Sequence, residues 1–189
     1  HNGRRRQRQM CIRDRISETS IGVESFVTLI NVRDIQVIVA GNVFNPGPYT
    51  LNGNSNVFHA LSVSGGPSDI GSFREIELVR NNKVIETIDL YDTFIYGKSS
   101  FNQRLRSGDI VFVKPVQNLV SIIGGVKRPF VYELKNSDSL DKAISFANGL
   151  SADADTSDVN LYRLIDGKVE GISISSIDEL KSFSPVDND

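Results

Sequence analysis

Residues 37–51 read VIVAGNVFNPGPYTL, and 83 positions later residues 120–134 read VSIIGGVKRPFVYEL. Gly41 falls on Gly124, Val43 on Val126, Pro46 on Pro129, Tyr49 on Tyr132 and Leu51 on Leu134. Self-similarity at a fixed spacing means that one structural unit is used twice. The 189 residues therefore divide into two modules of roughly 80 residues each, small enough that each buries a thin core and leans on its neighbour.

Outward from that stretch, residues 34–43 (DIQVIVAGNV) place Val37 and Val39 on one face of a strand and Gln36, Ile38 and Ala40 on the other. Asn45-Pro46-Gly47-Pro48 is a turn, since proline fixes φ and glycine admits positive φ. Residues 49–51 return as the second arm of a β-hairpin. Ser55 is positioned to cap a helix over Val57–Ser64, with Val57, Ala60, Leu61 and Ser64 on one face. Gly65-Gly66-Pro67 ends it, and residues 68–73 read as a loop. Residues 75–80 and 84–89 pair across Asn81-Asn82. A helical turn (90–96), a polar loop (97–106) and a closing strand (110–113) introduced by Gly108-Asp109 complete the module.

The second copy follows the same plan. Residues 119–126 and 132–134 form its hairpin. Asp138 or Ser139 caps a helix over 140–147, with Leu140, Ala143, Ile144 and Ala147 inward, and Asn148-Gly149 stops it. A second hairpin crosses Asp166-Gly167. Ser176-Ile177-Asp178-Glu179 has the capping-box pattern and opens a last helix running to Phe183. The expected fold class is α+β: two tandem modules, each a small mixed sheet with one packed helix.

The repeat also sets boundaries. Residues 1–24 are an arm. SFVTLI at 25–30 aligns with GDIVFV at 108–113, so residues 25–33 are expected to be the closing strand of an upstream module. Module 1 spans 34–115 and module 2 spans 116–189. The second module is expected to stop before any counterpart of residues 108–113, leaving it without its closing strand and with an open sheet edge.

Hydrophobic residues make up 39% and charged residues 23% of the chain, an ordinary globular balance. No apolar run approaches the ~18–20 residues of a membrane helix, and no secretory signal pattern is visible. The net charge of −2 is uneven: residues 1–16 carry six arginines against Asp14, a net of +5, which leaves −7 for the rest. That basic string, HNGRRRQRQMCIRDR with the residue after it, has no apolar periodicity. It reads either as a disordered arm or, in QMCIRDR, as translated sequencing adapter. The single cysteine, Cys11, lies there, so no disulfide or thiolate metal site can form in the remainder.

The pattern G-N-V-x-N-P-G-x-Y-x-L, a short helix ending in Gly-Gly and a strand ending in Arg80 resemble the soluble-ligand-binding β-grasp (SLBB) domain. Gly41-Asn42-Val43, Pro46-Gly47, Tyr49, Leu51, Ala60 and Gly65-Gly66 carry the likeness in module 1. Gly125-Val126, Arg128-Pro129, Tyr132-Glu133-Leu134, Ala143 and Asn148-Gly149-Leu150 carry it in module 2. Residues 89–94 (DLYDTF) and 105–115 (LRSGDIVFVKP) resemble the join between successive such domains in bacterial polysaccharide export outer-membrane proteins, the family that includes the capsule-export channel Wza. The second copy departs from the pattern with Phe130-Val131 at the positions of Gly47-Pro48 and with Asn148 at the first glycine of the pair. Gly41, Pro46, Gly47, Tyr49, Gly65, Gly66, Gly108, Asp109, Gly125, Pro129, Tyr132 and Gly149 are the structural motif residues this implies.

The resemblance implies the periplasmic part of an outer-membrane channel that exports capsule or exopolysaccharide. It further implies a ring-shaped homo-oligomer around the polysaccharide's path. The partner it implies is an inner-membrane polysaccharide co-polymerase or tyrosine kinase. Two alternatives stand beside it. One is a module binding a sugar or other small ligand. The other is DNA uptake, because competence proteins carry the same domain, but a −7 body opposes phosphate binding.

Nothing in the residues points to an enzyme or a cofactor. His59 is the only internal histidine, aligned with Lys142 on an exposed helix face, so no nucleophile–base pair can be assembled. Asp69, Asp92, Asp109, Asp153, Asp155 and Asp158 lack calcium-loop spacing, and no metal site is expected. Asp109 suits a turn, where its side chain accepts from local backbone N–H groups. Gly65-Gly66 and Gly124-Gly125 do not continue into a phosphate-binding loop. Four residues remain as weak ligand-binding candidates. Tyr49 and Tyr132 could stack on sugar rings, although core packing is the commoner use. Arg80 and Arg163 recur at a strand end, where a surface or inter-subunit ion pair is the preferred reading.

Overall fold

The computed structural model describes residues 33–99, 101–157 and 159–189. The arm at 1–24, the strand expected at 25–30 and Asp158 lie outside the described residues.

Module 1 opens with β1 (Asp34–Gly41) and β2 (Gly47–Asn52), an antiparallel hairpin in which Val37 faces Tyr49 and Ile35 faces Leu51. Helix α1 (Val57–Ser64) follows, then β3 (Gly71–Arg80), β4 (Lys83–Ile88), the short helix α2 (Leu90–Phe94) and β5 (Ile110–Pro115). The five strands form one mixed sheet in the order β2-β1-β5-β3-β4. The last strand of the module is thus the middle of its sheet, parallel to β1 and antiparallel to β3. Period-2 alternation puts Val37 and Val39 of β1, Ile76 and Leu78 of β3 and Val111 and Val113 of β5 into one core. Val57, Ala60 and Leu61 cover that core from α1. Gly65 ends the helix in the left-handed region at φ 86°, its N–H bonded to the Leu61 carbonyl.

Module 2 repeats the parts: hairpin β6 (Asn118–Ile122) and β7 (Phe130–Leu134), helix α3 (Asp141–Phe146), hairpin β8 (Val159–Ile165) and β9 (Lys168–Ile174), and a 3₁₀ helix, Ile177–Ser182. Loop contacts recur at the 83-residue spacing. The Phe44 N–H bonds to Gly66 O as Lys127 N–H does to Gly149 O, and Ser68 N–H to Asn42 O as Ser151 N–H does to Gly125 O. One difference is large: among the described residues no strand joins the two hairpins of module 2, which remain separate two-stranded sheets.

Local details depart from the sequence reading, each for an identifiable reason. The α1 cap is Asn56, not Ser55. The Asn56 side chain accepts from the His59 N–H, and the Asn56 N–H donates to His59 Nδ1, a capping box closed by a histidine. Neither Asp138 nor Ser139 caps α3, because Asp138 is engaged by Arg74 and Ser139 by Asp141. Phe146 is buried and Ile144 only partly so, because the shorter helix presents its last turn to the core. Ser176 makes no side-chain cap. Glu179 instead accepts from the Ser175 N–H, and the segment tightens to 3₁₀. Residues 71–73, read as loop, belong to β3, which bends through a register irregularity between Gly71 and Ile76.

Candidate functional site

The recurrent arginines are clamps. Arg80 Nε and Nη2 donate to both carboxylate oxygens of Asp109 at 2.7 and 2.6 Å, and Nη2 also reaches Arg104 O. Asp109, 1% exposed, accepts in addition from the Arg106 N–H. In module 2 Arg163 makes the same fork with Asp189 at 2.7 and 2.6 Å, its Nη2 reaches Ser184 O, and Asp189 accepts from the Val186 N–H. The hydrogen bonds to these carboxylates hold both guanidinium groups above their ordinary pKa. A planar fork on a carboxylate fixes geometry as well as charge.

This second clamp narrows one sequence expectation. Module 2 was expected to stop before any counterpart of residues 108–113; Asn188-Asp189 is the counterpart of Gly108-Asp109, and among the described residues no strand matches 110–113. Gly108 and Asn188 are both left-handed, at φ 86° and 67°. The Gly108 N–H bonds to Gln36 O as Asn188 N–H does to Leu119 O, and Ile38 N–H to Asp109 O as Ser121 N–H does to Asp189 O. The spacing narrows from 83 to 80 residues across this last loop, which hid the match.

The repeated tyrosines are clips. Tyr49 O–H donates to Asn45 O at 2.7 Å and Tyr132 O–H to Arg128 O at 2.8 Å, each four residues back across the hairpin turn. Tyr132 is buried against Phe146, and Tyr49 packs half-buried on the module 1 core. Arg80, Arg163, Tyr49 and Tyr132 thus lie in separate places, each spending its polar atoms inside its own module. Among the described residues no group of three or more His, Cys, Asp or Glu side chains could hold a metal ion. Asp155 accepts from the backbone and hydroxyl of Ser157.

The densest polar constellation lies between the modules, and its centre, Arg74, was not a sequence candidate. Arg74 is 5% exposed. Its Nε donates to Asp89 Oδ2 at 3.1 Å, and its Nη1 donates to Asp138 Oδ2 at 2.5 Å and to Glu133 O at 3.1 Å. The guanidinium lies over the rings of Tyr91 and Phe146, at 5.3 and 4.9 Å from their centroids. Glu133 reaches back into module 1: Ser72 Oγ–H donates to Oε1 and the Phe73 N–H to Oε2. Ser72 Oγ itself accepts from the Arg74 and Glu75 N–H groups. Lys135 joins Asp89 at 3.1 Å, and the Glu133 N–H donates to the Tyr91 hydroxyl.

Burial works against the charge of Arg74, but the hydrogen bonds and charges of Asp138 and Asp89 outweigh it and hold the guanidinium more firmly protonated. Burial likewise opposes ionisation of Asp138, yet the Arg74 hydrogen bond, the Lys135 N–H and the nearby cations keep its carboxyl below the usual range. For Glu133 burial prevails and pushes the carboxyl up, although the Ser72 and Phe73 donors and Arg74 pull the other way. A signal for the junction existed in the sequence. Arg74, Glu133 and Asp138 align with Ser157, Thr50 and Ser55 at the repeat spacing. These three junction residues all break the repeat.

A trough of about 470 Å³ opens in module 2 between β6 and β8, lined by residues 120–126 and 159–162 together with side chains of α3 and the 3₁₀ helix. It is mostly apolar, with Asn188 and Asp189 at one end.

Two paired hairpins around a short glycine-stopped helix, repeated in tandem, match the family model described as SLBB domain over residues 36–88 and again over 119–173, more than half of the chain. The chain belongs to the SLBB domain family. Two curated relatives, both named polysialic acid transport protein KpsD and both from Escherichia coli, are 29% identical to it over 127 residues. The alignment covers 66% of this chain and 23% of each relative, so this pair of SLBB modules spans about a quarter of the relatives' length.

Proposed function

We propose that the two SLBB modules are the periplasmic part of an outer-membrane channel exporting capsule or exopolysaccharide. In that reading they form the wall of a ring-shaped homo-oligomer and contain no catalytic centre. The observation that carries the proposal is the junction. A buried arginine on two carboxylates, a backbone carbonyl and two aromatic rings, with the Glu133 carboxylate held by Ser72 and Phe73 beside it, fixes one SLBB module on the next, which suits stacked wall elements and does not suit binding beads on a flexible tether. Likeness to a polysialic acid transport protein supports the polymer class. An inner-membrane polysaccharide co-polymerase or tyrosine kinase is the partner proposed on the periplasmic side.

The test is to purify the full-length parent protein in detergent and determine its assembly by native mass spectrometry and electron microscopy. Surface polysaccharide is measured in cells with and without its gene. Rings, and loss of surface polymer on deletion, are expected. A strictly monomeric parent, or undiminished polymer after deletion, would sink the proposal. No separate observation favours sugar capture, because the repeated tyrosine hydroxyls and arginine forks are already occupied.

A further inference from the structure

Module 1 carries apolar surface on two opposite sides. The first is the outer side of α1. Its sequence, VFHALSVS, contains no acidic or basic residue, and its Phe58 and Val63 are exposed. The Phe58 ring stands 6.4 Å from that of Phe94 in α2 and 5.2 Å from that of Phe101 in the loop that follows. Phe94 is more than half exposed. Module 2 has Asp141 and Lys142 at the places of Phe58 and His59, so this face is no part of the repeated scaffold.

The second is the bare face of the five-stranded sheet. Alternation sends Val37, Val39, Leu78, Val111 and Val113 into the core under α1 and their neighbours to the other side. The register then lines up one outward residue from every strand. Pro48 is opposite Ile38, Ile38 beside Ile110, Ile110 opposite Val79 and Val79 opposite Val84. All five are apolar, and Pro48, Ile38 and Val84 are exposed. In the next row Ala40 lies beside Phe112, and the charge of Glu77 is met by Lys114 at 2.7 Å.

Aromatic residues with charge depleted around them mark the centre of a protein interface, and a sheet that is apolar on both faces takes a layer on each. The polar groups beside the rings are not offered to a sugar: His59 closes the cap with Asn56, and Ser62 Oγ donates to Phe58 O. A lipid surface is met by basic residues around an apolar face, and α1 has none. Each face is complementary to the other, since helix on sheet is the packing module 1 already uses inside itself. The two faces are unlike and lie on opposite sides of one module. Pairing them joins copies head to tail, the kind of contact that closes into a ring.

We propose that module 1 docks on a second copy of this chain, with Phe58, Val63 and Phe94 of one copy packed on the Ile38, Ile110 and Val84 face of the next. This contact rests on the ring-shaped homo-oligomer proposed above and supplies its surface.

The test uses the full-length parent protein in detergent, in a background with no other reactive cysteine. Val63→Cys and Ile38→Cys are introduced singly and together, and a short bismaleimide is added. The double variant should give a ladder of trimers and larger species on denaturing gels, because every contact brings together one cysteine of each kind, and each single variant should give none. Phe94→Asp and Val84→Asp, both at exposed positions, should each raise the concentration at half-assembly by at least about tenfold while the dissociated protein melts as before. Dimers from either single variant report a two-fold contact between like faces and overturn the proposal. Rings that form without the ladder and tolerate both aspartates overturn it too, and leave the channel reading standing. A parent that is monomeric at every concentration overturns both. Binding of added oligosaccharide that Phe94→Asp abolishes, in rings that keep their size, gives the face to a sugar and overturns the docking proposal alone.

Discussion

Replacing Arg74 with methionine removes the guanidinium but keeps an apolar stem against Tyr91 and Phe146. Asp138 then loses its Nη1 partner and keeps the Lys135 N–H, Asp89 keeps Lys135, and the Glu133 carbonyl loses its arginine donor. Removing one partner from a buried ion pair costs about 3–5 kcal/mol, because the survivor is left desolvated and uncompensated. The cost here belongs at the low end, about 3 kcal/mol. The side chains of Asp89 and Asp138 retain 17% and 13% exposure, and Lys135 stays on Asp89. Loss of the cation–π contacts, about 0.5–1 kcal/mol, is largely returned by methionine packing on the same rings.

With a urea slope of about 2 kcal/mol/M, 3 kcal/mol moves the unfolding midpoint down by about 1.5 M. Circular dichroism gives the midpoint, and hydrogen exchange resolved by peptide reports each module. Because Arg74 draws ligands from both modules, the variant should also let module 2 exchange ahead of module 1. In a cycle with Asp138→Asn the two changes should fall short of additivity by about 2 kcal/mol. A midpoint shift below about 0.3 M, or an additive cycle, would refute the claim that this network couples the modules.

Three further outcomes follow from the same structure. Asp138 has a lowered carboxyl pKa, so the unfolded chain takes up its proton first. Its stabilisation is complete above the unfolded carboxyl range near ~4 and is lost as the pH falls through the lower folded value. Asp138→Asn should therefore flatten the acid limb of urea midpoint against pH, and an unchanged limb would count against the assignment. Tyr132→Phe should cost about 1 kcal/mol for the bond to Arg128 O and, under the proposed channel role, leave surface polysaccharide undiminished, whereas a large loss of surface polymer in a stable variant would favour the sugar-stacking role. Gly41→Ala should cost about 2–5 kcal/mol, from about 1–2 for left-handed strain and about 1–3 for the clash with Val113 O. Gly124→Ala in the same chain should cost only the strain, and equal losses in thermal melts would contradict the open geometry at Gly124.

The repeat made the hairpins, both glycine-stopped helices and the α+β class legible, because alternation and turn chemistry act over a few residues. What it could not reveal was pairing across the chain. β5 is last in sequence but central in its sheet, a fact of register between residues about 70 apart. Asp109 read correctly as a turn residue accepting from backbone, yet its larger role, receiving Arg80 from 29 residues away, has no local signature. The helix caps failed for a related reason. Asp138 has the right chemistry for capping, but the buried arginine of the other module outcompetes an exposed backbone N–H for its carboxylate.

Comparing the copies separates scaffold from assembly more sharply than any motif. Tyr49 and Tyr132, or Arg80 and Arg163, solve the same local problem twice: the hydroxyl ties a hairpin turn, and the fork pins the loop that follows the second hairpin. The donors used in this way are spent inside each module. The unequal positions, Arg74 against Ser157, Glu133 against Thr50 and Asp138 against Ser55, sit where one module is fastened to the other. Under the channel reading, a wall should be dry and charge-balanced at its joints and should bind its cargo weakly, since tight capture would halt transport. On that reading, variants at the repeated residues alter the stability of the protein, and variants at the unrepeated ones alter the geometry of the wall.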